Sequence, residues 1–391
     1  MTTATQGGLT IDGYSQPGAS ANTLAVPAGT NAQLRIEIAG SELTMQAPIT
    51  LRGIAFGGPL SIERIGGFCC GTDPGSGRYE IEGNYFGLRA DGLTPSAVPG
   101  ILLHISTSSG NVDGVRIGGE LPAQRNVFGS NGGATTSTEC LRLTGTHHQV
   151  HGNLIGTDRS GMLALGCTTG ILLQGQAIDI GGSGSAQGNL FAGHHDRAIS
   201  ISGTQTAGTV KAVIQGNRFG VAVDGSTPLP IGTRNVNSND LPMIRGDNTA
   251  SVVRIGGSTP AAANLFAHAG LGRPPLPSTP PYVQTAVSGL PGRWEILGNR
   301  YRGNRGAGID TTNAGSGRRP TDVGDSDSAT RSKLQNFPVI SAFRRNGDAI
   351  EVDYLVDSSF AAVPGAGQST YPLRIEFYAA DGAAGAELLG V

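Results

Sequence analysis

Four titratable residues stand side by side at His194-His195-Asp196-Arg197. They follow Asn189, and the equivalent positions after Asn126 are Asn131-Gly132-Gly133-Ala134, plain turn formers. One bend thus departs from its own template. Imidazole, carboxylate and guanidinium groups held together are what general acid–base chemistry requires. A solvated polar turn is the plainer reading of the same residues. A second set is basic: Arg78, His147, Lys211 and Arg293 each lie six positions before a recurring Asn. If that column faces solvent, it is a cationic stripe suited to an anionic glycan. Glu80, Glu82 and Glu295 nearby dilute its field. A third set, Asp322, Asp325 and Asp327, has the close spacing of hard oxygen donors and is expected to hold a structural calcium ion.

What must position these residues is a repeat. Gly152-Asn153-Leu154-Ile155-Gly156 returns with variation as Gly83-Asn84-Tyr85-Phe86-Gly87, Gly216-Asn217-Arg218-Phe219-Gly220 and Gly298-Asn299-Arg300-Tyr301. Between the copies lie Ile65-Gly66-Gly67, Ile117-Gly118-Gly119, Ile180-Gly181-Gly182 and Ile255-Gly256-Gly257. After the last three, Asn126, Asn189 and Asn264 come nine positions on from the Ile. Long-period self-similarity of this kind defines a solenoid. Short alternating runs such as Ile101-Leu102-Leu103, Leu141-Arg142-Leu143, Ile171-Leu172-Leu173 and Ile199-Ser200-Ile201 predict strands of three to five residues. No amphipathic helical stripe joins them, so a parallel β-helix is the expected fold.

Aligning the copies gives predicted columns. Ile81, Val150, Ile214 and Ile296 are expected to stack inside the cylinder, as are Phe86, Ile155, Phe219 and Tyr301. The Asn residues between them predict a ladder of side-chain amides. Alternation turns the Arg78 column outward and His148 inward. Gly92, Gly161 and Gly225, each eight positions past an Asn, predict repeated surface hairpins. The Asn copies are 69, 64 and 82 residues apart, so each long repeat is read as two coils plus a hairpin.

The expected domains are a cap over 1–44, the β-helix over 45–312, an Asp/Gly-rich linker over 313–332, and part of a β-sandwich over 333–391. The last follows from longer alternating runs, Ala349-Ile350-Glu351-Val352-Asp353-Tyr354 and Leu373-Arg374-Ile375-Glu376-Phe377-Tyr378. Both ends read as cuts in a longer precursor.

The totals bound the function. The chain has 391 residues, 63 of them Gly, and 38% are apolar, which excludes a disordered chain. A net charge of -2 gives no electrostatic case for nucleic acid or an anionic membrane. No apolar run is long enough for a membrane span. The four cysteines, Cys69, Cys70, Cys140 and Cys167, lack C-x-x-C spacing; three disulfide pairings and free thiols all stay open.

Asn153-Leu154-Ile155-Gly156-Thr157-Asp158, the Ile-Gly-Gly phrases, Ile11-Asp12-Gly13 with Gln16-Pro17-Gly18, and Leu334-Gln335-Asn336-Phe337-Pro338 together resemble bacterial right-handed parallel β-helix repeat proteins of the pectate-lyase-like superfamily. That resemblance implies an exported, multidomain surface or extracellular protein. It does not select an activity, because the superfamily holds lyases, hydrolases, tailspikes and adhesins. A pectinase-type hydrolase would imply an Asp-Asp pair, which this chain lacks. A lyase would imply calcium and an Arg or Lys base. The leading expectation is a non-catalytic scaffold for surface attachment or polysaccharide binding. The alternatives are a lyase or glycoside hydrolase on the same coils, and a structural spacer.

Overall fold

The computed structural model describes residues 9–40, 42–46, 48–63, 79–96, 100–106, 112–130, 137–203, 209–234, 241–246, 252–272, 285–288, 293–310, 336–358, 373–379 and 387–390. Arg78, the three linker aspartates, Cys69 and Cys70 lie outside the described residues, as does the whole 313–332 linker.

Three parallel sheets of nine strands each wind into a right-handed β-helix. The first sheet contains Leu9–Asp12, Ile49–Arg52, Tyr79–Glu82, Val115–Gly118, Gln149–His151, Ile178–Gly181, Val210–Gln215, Val252–Gly256 and Arg293–Leu297. In the second, two- and three-residue strands such as Tyr85–Phe86 and Leu154–Ile155 follow each Asn. The third includes Ile101–Ile105, Glu139–Leu143, Thr169–Leu173 and Arg197–Ile201. Parallel strands need a crossover, and here each coil's other two sheets supply it in place of a helix.

The interior is built from columns of like residues. Ile11, Leu51, Ile81, Ile117, Val150, Ile180, Ile214, Ile255 and Ile296 occupy successive rungs of the first sheet. The predicted column is therefore real, and alternate coils fill the gaps between the aligned copies. A second column stacks rings: Phe86 on Phe128 at 4.7 Å, Phe191 on Phe219 at 4.9 Å, Phe219 on Phe266 at 4.7 Å and Phe266 on Tyr301 at 5.7 Å. Ile155 interrupts it. Burying each such side chain contributes about 1.5–3 kcal/mol.

The Asn ladder runs beside these columns. Asn153 shows the pattern: its backbone N donates to Asn189 Oδ1 at 3.0 Å, and its Nδ2 donates to Asn189 Oδ1 at 3.0 Å and to Ile117 O at 2.9 Å. Its own Oδ1 accepts from Asn126 Nδ2 at 2.9 Å. The chain of amides continues through Asn84, Asn126, Asn217, Asn264 and Asn299. The Cys140–Cys167 disulfide ties adjacent coils of the third-sheet side together.

The segment expected as a cap supplies a strand to every sheet: Leu9–Asp12, Ile36–Ile38 and Leu43–Met45 pair in parallel with Ile49–Arg52, Ile54–Phe56 and Leu60–Ile62. The coils thus begin at Leu9, earlier than the expected residue 45. Within this first coil, the insertion between Asp12 and Ile36 lies against the outside of the second sheet. There Tyr14, Ala32 and Leu34 join Tyr85, Val127, Leu154 and Leu190 in a separate apolar cluster. The predicted hairpins lie on the same side, closed by antiparallel bridges Leu88–Pro95, Thr157–Ala164 and Val221–Pro228. They stack through Arg159 N to Gly92 O at 2.8 Å and Val223 N to Gly161 O at 3.1 Å. The second sheet is therefore covered, while the outer face of the first carries half-buried and exposed side chains.

Beyond the coils are two antiparallel pairs, Val339–Asn346 with Ala349–Leu355 and Phe377–Ala379 with Glu387–Gly390. Glu376 reaches back to the last coil, accepting from Gly298 N at 2.9 and 3.0 Å.

Candidate functional site on the first sheet

Among the described residues, those singled out by sequence do not gather into one site. His194 is fully buried against the backbone of Ile155 and Cys167. Its ring is packed so closely that a Cβ on Gly156 or Gly170 would fall 2.8 Å from it. Burial pushes its pKa down to about 3, so it is a neutral core side chain. Asp196 is held by Arg234, Oδ2 to Nη1 at 3.1 Å. His195 and Arg197 are half-buried at the bend. The four neighbours in sequence thus divide between inside and outside, and no shared acid–base pocket forms from them.

Among the described residues, Lys211 and His147 do not form the expected outward basic stripe. Lys211 was expected to face outward, and it is buried, with Nζ lacking a hydrogen-bond partner. The physical reason is a bulge. Val210 pairs with Val252 and Ala212 with Val253, leaving Lys211 as an extra residue between rungs. An added residue shifts the inside–outside alternation locally. Arg293 pairs with Val252, a rung that belongs to Val210 and not to Lys211. His147 is exposed in left-handed backbone, φ 55°, and its Nδ1 lies 2.8 Å from Asp113 Oδ1. His148 is internal as expected, with Nδ1 accepting from Val115 N at 3.1 Å and Nε2 2.7 Å from Thr144 O.

A different column occupies the outer face of the first sheet. Successive rungs carry Thr50, Glu80, Arg116, Gln149, Asp179, Val213, Arg254 and Glu295. Two residues further along the strands lie Arg52, Glu82, His151 and Gln215. Arg116 Nη2 contacts Glu80 Oε1 at 2.7 Å and Glu82 Oε2 at 3.3 Å. Two carboxylates on one guanidinium lie within about 6 Å of each other, close to the spacing used for glycoside chemistry. Both carboxylates are engaged by the one cation, an arrangement that closes the group on itself.

Asp179 and His151 sit differently. Burial pushes the Asp179 carboxyl up, opposed by His151 and His147. Burial pushes His151 down, opposed by Asp179 and Glu120. Sequence reasoning missed this column because it aligned only the coils bearing the Gly-Asn phrase. The signal was present: Arg116, Asp179 and Arg254 each directly precede an Ile-Gly-Gly phrase.

Comparison with family models, curated proteins and solved structures gives no match. Among the described residues, no helix is long and apolar enough to cross a membrane.

Proposed function

We propose that this protein is an exported β-helix scaffold that binds polysaccharide along the outer face of its first sheet, without catalysis. The observation that carries the reading is the polar column from Thr50 to Glu295, set on a rigid frame whose second sheet is closed by its own hairpins. Parallel rungs repeat at about 4.8 Å, so side chains two coils apart are about 9.6 Å apart, near the length of a disaccharide. A stiff ladder of donors and acceptors loses little entropy on binding an extended chain. Export is supported by the Cys140–Cys167 disulfide, a bond favoured in oxidising compartments. It also agrees with the resemblance to bacterial pectate-lyase-like surface proteins. Asp322, Asp325 and Asp327 fit a structural calcium that stiffens the joint after the coils. Calorimetry at millimolar calcium showing no uptake removes that part.

The test is affinity electrophoresis against neutral and acidic polysaccharides, with released reducing and unsaturated ends assayed in parallel. Retarded migration with no new ends is expected. New ends would replace the scaffold by a hydrolase or lyase, and the absence of retardation on every polymer would leave a spacer.

A further inference from the structure

Most charged side chains on the first sheet's outer face are committed to one another. Arg52 holds Asp12 at 2.8 Å, and Arg116 holds Glu80 and Glu82. Gln124 Nε2 donates to Glu82 at 2.9 Å. Towards the other end, Arg254 holds Glu295 at 2.8 Å. Between these closed groups the pattern changes. Among the described residues the half-buried Asp179 carboxylate makes no hydrogen bond or ion pair, and neither does the His151 ring.

Asp179 is half-buried, while His151 is buried, only 8% exposed. Asp179 shares its rung with Gln149 on one side and Val213 on the other. Gln149 is exposed. His151 pairs with Gly118, and Gly181 follows the Ile180 that pairs with Val150, so both of its neighbours along the sheet are glycines. The remaining polar groups nearby are engaged: His147 with Asp113, Glu120 with Gln187 at 2.8 Å, and Gln215 with Gly256 O at 2.9 Å.

We propose that Gln149, His151 and Asp179 form a subsite that takes the adjacent hydroxyls of an uncharged sugar residue. The inference rests on the reading of this face as a polysaccharide surface and adds the class of glycan. A carboxylate accepts two hydroxyl hydrogen bonds, an amide both donates and accepts, and a neutral imidazole does the same. Unpaired polar groups of this kind regain hydrogen bonds from a polyol. A uronic acid would place its carboxylate beside the unpaired Asp179 carboxylate and be repelled by it. Arg116, one rung from Gln149, is already shared by Glu80 and Glu82, so the groups left for a ligand are the amide, the imidazole and the Asp179 carboxylate.

The raised Asp179 pKa sets the direction of the pH response. The ionised carboxylate is the stronger acceptor, so binding is full at neutral pH and weakens as pH falls through that pKa. The groups facing Asp179 are Gln149 and His151 from the preceding strand, Val213 and Gln215 from the following one, and His147 from the bend. Arg116 and Glu120 act on His151.

The probes are soluble xylan, glucan and mannan as neutral polymers, polygalacturonate as the acidic one and chitosan as the amine-bearing one. Wild type and Asp179→Ala, Gln149→Ala and Asp224→Ala variants are compared by affinity electrophoresis at pH 7 and pH 4.5. The expected result is binding to a neutral polymer that falls at least tenfold in Asp179→Ala, falls severalfold in Gln149→Ala, weakens at pH 4.5 and is unchanged in Asp224→Ala, which lies on a hairpin. Unchanged melting temperatures assign the loss to the site. Preference for polygalacturonate or chitosan, or neutral-polymer binding that Asp179→Ala leaves intact, overturns the subsite while the broader reading stands. Wild type binding no polymer overturns both.

Discussion

Two buried bases carry the clearest consequences at the scale of single residues. His194 is buried and neutral, with its pKa near 3 against 6.5 when free. Its folded value is depressed, so the unfolded chain takes up the proton first as pH falls. Stability is full above about 6.5 and declines towards 3, by about 1.4 kcal/mol per pH unit within that window. In His194→Leu, thermal melts from pH 7 to pH 4 are expected to show a flatter acid limb than wild type. Lys211 is the cationic counterpart: burial lowers its pKa from 10.5 to about 8. Its ammonium penalises the fold below 8, and stability rises as pH climbs from 8 towards 10.5. Lys211→Met is expected to raise stability at pH 7 by about 1–3 kcal/mol, the cost of burying an unsatisfied polar group. The gap should narrow at pH 9.5. An unchanged melting temperature at pH 7 would mean that Nζ finds an acceptor.

At the scale of elements, the ladder is directional. Each Asn backbone N donates to the amide oxygen of the next coil, and each Nδ2 also donates to a carbonyl of the previous one. Removing one central amide orphans partners on both sides, whereas Asn299 has a ladder neighbour on one side only among the described residues. Asn153→Ala is expected to cost about 2–4 kcal/mol in denaturant unfolding, with Asn299→Ala costing less. This asymmetry separates a hydrogen-bonded ladder from a row of tolerated turn residues. The Cys140–Cys167 bond works at the same scale. It closes a short loop between adjacent coils, where such a link contributes about 2–4 kcal/mol.

For the whole molecule the question is how a solenoid ends. The first strands are backed by the insertion of the first coil, whose Tyr14 hydroxyl donates to Gly83 O at 2.7 Å. At the other end, Glu376 stands where a further coil would be. In three earlier coils the glycine before the ladder Asn donates to a carbonyl of the next turn: Gly83 N to Gln124 O at 3.1 Å, Gly152 N to Gln187 O at 2.9 Å and Gly216 N to Ala262 O at 3.1 Å. For Gly298 the Glu376 carboxylate takes that role, while Tyr378 packs edge-on against Tyr301 at 6.0 Å. Glu376→Ala is expected to speed hydrogen exchange in Arg293–Leu297 and Arg300–Arg302 and to leave the central coils protected. Uniform exchange across all coils, or no change in these strands, would remove Glu376 as the terminal cap.

The repeat itself determined the winding, the inward Ile and Phe columns, the Asn ladder and the hairpins, because a buried position on every turn must be filled by a residue of the same kind. Those choices recur and can be aligned. Only the tertiary structure decided which polar residues face solvent together. Lys211 lost its place to a bulge that counting by twos does not register, and His194 turned inward from a run that reads as uniformly polar. Asp179 and His151 came to adjoining rungs from neighbouring coils that share no phrase. Cys140 and Cys167, 27 residues apart, became partners because one turn of the cylinder returns the chain to the same place.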